Sequence, residues 1–147
     1  MKKLPVIFIL GLFLTGCATG LSDLQRRSIE SKDLEGIFDN AFKATMAVLQ
    51  DMGFVIKHTD STAGVIQAET GMRQGFLQEF NYAVTATLEQ FGENRVKERI
   101  TITRNTVVQG MYGSRSESSD IVDDPQMLQD IYEKIQKEMF IRNNLSK

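Results

Sequence analysis

"YAVTATLEQFGENRVKERITITRNTVVQ", residues 82–109, alternates apolar and polar side chains over two successive runs. In its first part Tyr82, Val84, Ala86 and Leu88 alternate with Ala83, Thr85, Thr87 and Glu89. A period of two places successive side chains on opposite faces of a strand. In its second part Val96, Ile100, Ile102 and Val108 share one face, interrupted by Glu98, Arg104 and Thr106, while Lys97, Arg99, Thr101, Thr103 and Asn105 share the other. The two runs predict long strands over 82–91 and 95–109, joined by Gly92-Glu93-Asn94 as a short hairpin connection. An apolar face backed by a polar one is the pattern of an antiparallel sheet covered on one side only.

The residues around this hairpin supply the cover. Upstream, Leu34, Ile37, Phe38, Ala41, Val48, Leu49 and Met52 recur at helical spacing, with Thr45 tolerated in the same stripe, so an amphipathic helix is expected over 34–52, with Asp33 as N-cap and Gly53 at its end. Phe54–Asp60 and Val65–Thr70 read as a second hairpin across Ser61-Thr62-Ala63-Gly64. Leu24–Glu30 reads as an extended edge strand. Downstream, Asp124 and Pro125 open a last helix whose buried stripe is Leu128, Ile131, Tyr132, Ile135 and Met139. The expected fold is α+β: an antiparallel sheet of four to five strands with two helices packed on one face, in the order β-α-β-β-β-β-α, forming one domain over residues 24–147. The 147 residues, 41% hydrophobic and 24% charged, suit a single globular domain.

The N-terminus reads differently. Lys2 and Lys3 precede an apolar run from Leu4 to Leu14, and small residues follow it. Basic, then apolar, then small is the order of a secretory signal peptide, and the run falls short of the roughly 20 residues a permanent span needs. Leu14-Thr15-Gly16-Cys17 resembles the lipobox of bacterial lipoproteins. That resemblance implies a signal peptide over 1–16, an S-diacylglycerol and an N-acyl group on Cys17, and a tether over 17–23. Ala18 follows the cysteine where retained lipoproteins carry Asp, so the implied address is the periplasmic leaflet of the outer membrane, with the bilayer itself as a partner. Removal of Lys2 and Lys3 leaves 15 Lys+Arg against 19 Asp+Glu, a net charge of -4 in place of -2. An acidic body argues against general nucleic-acid binding.

Cys17 is the only cysteine, so its lipidation leaves no disulfide, catalytic thiol or cysteine metal site. His58, the only histidine, stands in a strand next to a turn without other ligands at metal spacing, which reads as a surface position. Asp120, Asp123 and Asp124 lack the central Gly and distal Glu of a calcium loop. Ser114, Ser116, Ser118 and Ser119 lack a nucleophile elbow. No catalytic residue, metal or other cofactor is expected.

Residues 71–80 and 110–120 read as loops, and they carry Phe76, Leu77 and Tyr112. Apolar residues in a connection either fold back onto the core or form a contact patch. As a patch, these three residues would lie at one end of the sheet and bind a partner protein of the envelope.

Leu24-Gln25-Arg26-Arg27-Ser28-Ile29-Glu30, the Leu49-Gln50-Asp51-Met52-Gly53-Phe54 helix end and the Ala63-Gly64-Val65-Ile66-Gln67-Ala68 turn and strand resemble a family of small proteobacterial outer-membrane lipoproteins. The resemblance spans most of the mature chain. At the level of fold, a helix followed by Gly-Phe and a hairpin is similar to the helix-grip domains of BamC. Both likenesses imply location and a non-enzymatic protein-interaction role in envelope assembly or transport, and neither brings catalytic residues. The alternative is a small-ligand or lipid-binding lipoprotein with a cavity between helices and sheet. Filled positions at Phe38, Ala41, Val48, Ile100 and Ile102 would favour the first.

Overall fold

The computed structural model describes residues 22–75, 78–110 and 113–145. Among them the chain runs α1 (Asp23–Glu30), β1 (Ser31–Glu35), α2 (Phe38–Asp51), β2 (Val55–Asp60), β3 (Val65–Glu69), β4 (Arg73–Gly75), β5 (Gln78–Gln90), β6 (Arg95–Gln109), β7 (Arg115–Ile121) and α3 (Pro125–Leu145). The fold is α+β, but the expected order and the count of four to five strands and two helices are overturned: the sheet has seven strands and there are three helices. Each departure has a local cause.

The stretch expected as an edge strand is α1. Ser22 Oγ accepts from the Gln25 amide at 3.3 Å, and Gln25 Oε1 accepts from the Ser22 amide at 3.0 Å. This reciprocal capping box satisfies two donors that a helix start otherwise leaves open. The resulting turns bury Glu30 and half-bury Arg26 and Ile29 on one side.

The strand follows instead of preceding, and it shortens the next helix. Asp33, expected as an N-cap, and Leu34 belong to β1, which pairs Ser31↔Arg99 through Glu35↔Arg95. Leu34 is in step with the helical period by coincidence, and it is buried from a strand. Gly36, at φ 142, turns the chain out of β1, in a backbone region that side chains rarely adopt. The N-cap Ile37 offers no side-chain acceptor, and Gln90 Oε1, across the sheet in β5, accepts from the Phe38 amide at 2.7 Å. α3 begins as its sequence implies: Asp124 Oδ1 accepts from the amides of Gln126 at 3.0 Å and Met127 at 3.2 Å.

The two connections expected as loops each contain a strand. β4 pairs with Gln78–Phe80, and β7 pairs with Thr103–Gln109. Both are exposed along their length, so no burial is recorded in their side-chain pattern; ladder hydrogen bonds hold them, joined in β7 by the Ser119 hydroxyl, which donates to Asn105 Oδ1 at 2.8 Å.

β5 and β6 form the axis of the sheet, paired from Gln78↔Val108 to Gln90↔Val96. β3 and β4 succeed each other along the free flank of β5, β1 and β7 along that of β6, and β2 lies outside β3. All pairs are antiparallel. α2 packs on β2, β5 and β6, and α3 packs on α2 and α1. The core between them is built from Ala41, Val48 and Leu49 of α2, Ile131 and Ile135 of α3, and the row Val84, Ala86, Leu88, Ile100 and Ile102 of the central strands. The half of the sheet made of β4, β7 and the adjoining ends of β5 and β6 extends past this core as a four-stranded ribbon.

Candidate functional site

Two features interrupt the regular plan, and both lie in the helix-facing row of β6. The first is Glu98, between Val96 and Ile100, with 0% of its surface exposed. Thr45 of α2 faces it: Thr45 Oγ1 lies 2.6 Å from Glu98 Oε1 and 3.0 Å from the Ala41 carbonyl oxygen one helical turn back. A hydroxyl has one proton to donate. Given to Ala41, it leaves Glu98 as the donor to Thr45, so the geometry suits a neutral carboxylic acid. Burial pushes the Glu98 pKa up to about 7, with the Thr45 hydrogen bond working in the opposite direction. Glu98 Oε2 is buried without a hydrogen-bond partner among the described residues.

Tyr132 of α3 closes the same pocket. Its hydroxyl donates to the Glu30 carbonyl oxygen at 2.5 Å and lies 3.4 Å from that of Glu98. Burial, then the Glu98 carboxyl, push the pKa of the phenol above its usual value. Burial likewise raises that of Glu30, against the pull of Arg99 and Arg26. This cluster ties α1, α2, α3 and β6 together. A carboxyl with no exposed surface meets no substrate in this conformation.

The second feature is the ribbon. Its helix-side face carries Phe80 and Tyr82, edge to face at 5.9 Å, and Arg104, whose guanidinium sits 4.4 Å from the Phe80 ring centroid. Arg104 lies directly between Tyr82 and Asp120 in the ladder, and its Nε is buried without a hydrogen-bond partner among the described residues. Farther along the same face Val108 is 41% exposed, while Ile121, opposite Thr103 in the ladder and so on the other face, is 47% exposed. The ladder of β7 is satisfied on the β6 side, and its other edge has no paired strand among the described residues.

Leu14, Thr15, Gly16 and Cys17, and the expected contact residues Phe76, Leu77 and Tyr112, lie outside the described residues. The residues that bracket the last three are described. Gly75 pairs with Gln78, Gln78 pairs with Val108, and Gly110 donates to the Ser114 carbonyl oxygen at 2.7 Å, so both connections leave the same end of the ribbon.

His58 is exposed. A bulge between Ile56 and His58 reverses the alternation, so that His58 pairs with Gln67 on the open face rather than following Ile56 inward. Of the acidic trio, Asp124 caps α3 and Asp123 accepts a bidentate pair from Arg26, Nε to Oδ1 at 2.8 Å and Nη2 to Oδ2 at 3.2 Å. That clamp between α1 and the start of α3 was not expected, because the two residues are 97 positions apart. Among the described residues no group of His, Cys, Asp or Glu is placed to hold a metal ion, and no helix is long and apolar enough to cross a membrane. No family model and no curated protein matches the chain.

Proposed function

We propose that this chain is a lipid-anchored outer-membrane lipoprotein facing the periplasm, and that its domain is a non-enzymatic interaction module for an envelope protein. The observation that carries the reading is the ribbon: four strands projecting past the helices, with an arginine-aromatic cluster, exposed apolar residues and an open strand edge. An exposed edge is a template for another strand unless it is blunted or covered. The space between helices and sheet supports this reading over a ligand chamber, because Ala41, Val48, Ile100 and Ile102 are buried against one another and Phe38 packs onto them. The resemblance to small proteobacterial lipoproteins rests on the sequence and belongs to the proposal.

Replacing Cys17 by Ser should release the protein from the membrane fraction; full retention would remove the anchor from the account. Changing Phe76, Leu77 and Tyr112 to Ser should abolish co-purification of the envelope partner while the thermal unfolding midpoint stays in place. Survival of the whole partner set would count against the ribbon end as the contact.

A further inference from the structure

At the opposite end of β6 from the ribbon tip, basic side chains gather on the surface. Arg27 of α1, Lys32 of β1 and Lys97 and Arg99 of β6 line one open concavity of about 590 Å³, together with Ser28, Ser31 and a single carboxylate, Asp33. None of the four cations is within salt-bridge distance of a carboxylate among the described residues; Arg99 makes a long contact, 3.4 Å, to Ser31 Oγ, and Arg99 and Arg27 act on the Glu30 carboxyl electrostatically. Glu89 and Asp33 stand opposite Lys97 in the ladder, and with the buried Glu30 beside Arg99 and Arg27 they are the acidic neighbours of this patch. Four cations gathered here stand out in a chain whose net charge is -2.

The place of this patch matters as much as its sign. α1 turns Leu24, Arg27 and Ser28 outward, and Leu24 is 79% exposed. Residues 24, 27 and 28 fall on one helical face. Its N-cap is Ser22, five peptide units from Cys17, a reach of no more than about 18 Å. Arg27 lies only about 8 Å along the helix axis from Ser22. A chain fastened at Cys17 therefore holds this basic face within one tether length of the lipid headgroups.

We infer that the Arg27, Lys97 and Arg99 face, with Lys32 on the edge strand beside it, is a membrane-docking surface that rests on anionic phospholipid headgroups, with Leu24 entering the interface, and so directs the ribbon away from the bilayer. The inference deepens the anchored-module reading and rests on it for the tether. Basic side chains on an acidic body gain from a negative surface locally, while the remainder of the domain is repelled, and that combination sets orientation.

The test uses the full chain purified from membranes and added to vesicles of phosphatidylcholine alone or of equal phosphatidylcholine and phosphatidylglycerol. Amine labelling is read residue by residue by mass spectrometry. On the anionic vesicles Lys32 and Lys97 should label about fivefold more slowly than on the neutral ones, the effect of roughly one basic contact. Lys134 and Lys137, on the exposed side of α3, should label equally on both. Raising salt from about 20 mM to about 500 mM should erase the difference. The double variant Arg27→Glu, Arg99→Glu, if its unfolding midpoint is unchanged, should erase it at low salt too; the lipid and salt arms decide the matter if that variant does not fold. Equal labelling of Lys32 and Lys97 on both vesicles at low salt would overturn the inference. Flotation separates it from the anchor: an anchored chain floats with neutral vesicles. A chain that floats only with anionic vesicles retains the docking surface and loses the anchor, and one that floats with neither loses both.

Discussion

Glu98 is the residue that most clearly sets a measurable property. Its pKa in the folded chain is about 7 against 4.5 for the free group, so the native state holds a proton that the unfolded chain releases. Stability is therefore fully present below about pH 4.5 and declines as pH rises through about 7, by about 3 kcal/mol in all. Glu30, also raised, acts in the same direction, whereas Asp60, lowered by the Ala63 and Thr62 amides, loses its contribution only as pH falls further. The difference between the wild type and Glu98→Gln isolates the effect. Urea midpoints of the variant should lose most of the decline between pH 4.5 and 7, and an unchanged slope would refute a neutral buried acid. Gly64 is a second pressure point: at φ 67, a Cβ there would stand 2.0 Å from the Leu88 carbonyl oxygen, and the Gly64 oxygen accepts from the Leu88 amide at 2.8 Å. Gly64→Ala should lower stability by about 2 kcal/mol or more, read as a lower urea midpoint at constant m-value. Glu98 was visible in the sequence as a break in an apolar row. Thr45 stands in the helical stripe of the sequence, but its pairing with Glu98 was not legible, because helix-to-sheet facing is not encoded in either element's own period.

Among the elements, α1 depends on contacts at both ends. Ser22 and Gln25 close its start, and the partly buried Arg26–Asp123 pair, with side chains 27% and 28% exposed, fastens it to the junction before α3. Removing the arginine by Arg26→Ala should cost on the order of 1 kcal/mol. Amide exchange should quicken across 25–30 and stay unchanged in β5 and β6; uniform quickening would mean that the clamp supports the whole fold rather than this helix. The elements that were legible are those whose side chains record burial: the long hairpin of β5 and β6, the body and end of α2, and α3 from its Asp-Pro start. β4 and β7 carry no such record, since both are exposed throughout. The Ser22-x-x-Gln25 signature of α1 was present, but Ile29 beside polar residues also fits an edge strand. Leu34 fits a helical period and a strand equally, and Gly36 decides between them.

Across the whole molecule, the sheet has two unlike ends along one pair of strands. Around Val96–Ile102 it is packed under helices, with the basic face of Arg27, Lys97 and Arg99 on its margin; around Thr103–Gln109 it projects as the ribbon. A rise of about 3.3 Å per residue puts Lys97 and Val108 about 36 Å apart. This division follows from strand order, which a single sequence does not carry: that β1 and β7 share the flank of β6 comes from pairings 60 or more positions apart in one case and a short connection in the other. We propose that the ribbon is where the anchored domain meets its partner. A photo-activated crosslinking residue placed at Thr106 or Ser118 in intact cells tests it most directly, with Gln136 and Lys137 of α3 as the comparison. One discrete adduct is expected from the two ribbon positions and none from α3. Adducts from α3 with none from Thr106 or Ser118 would contradict it.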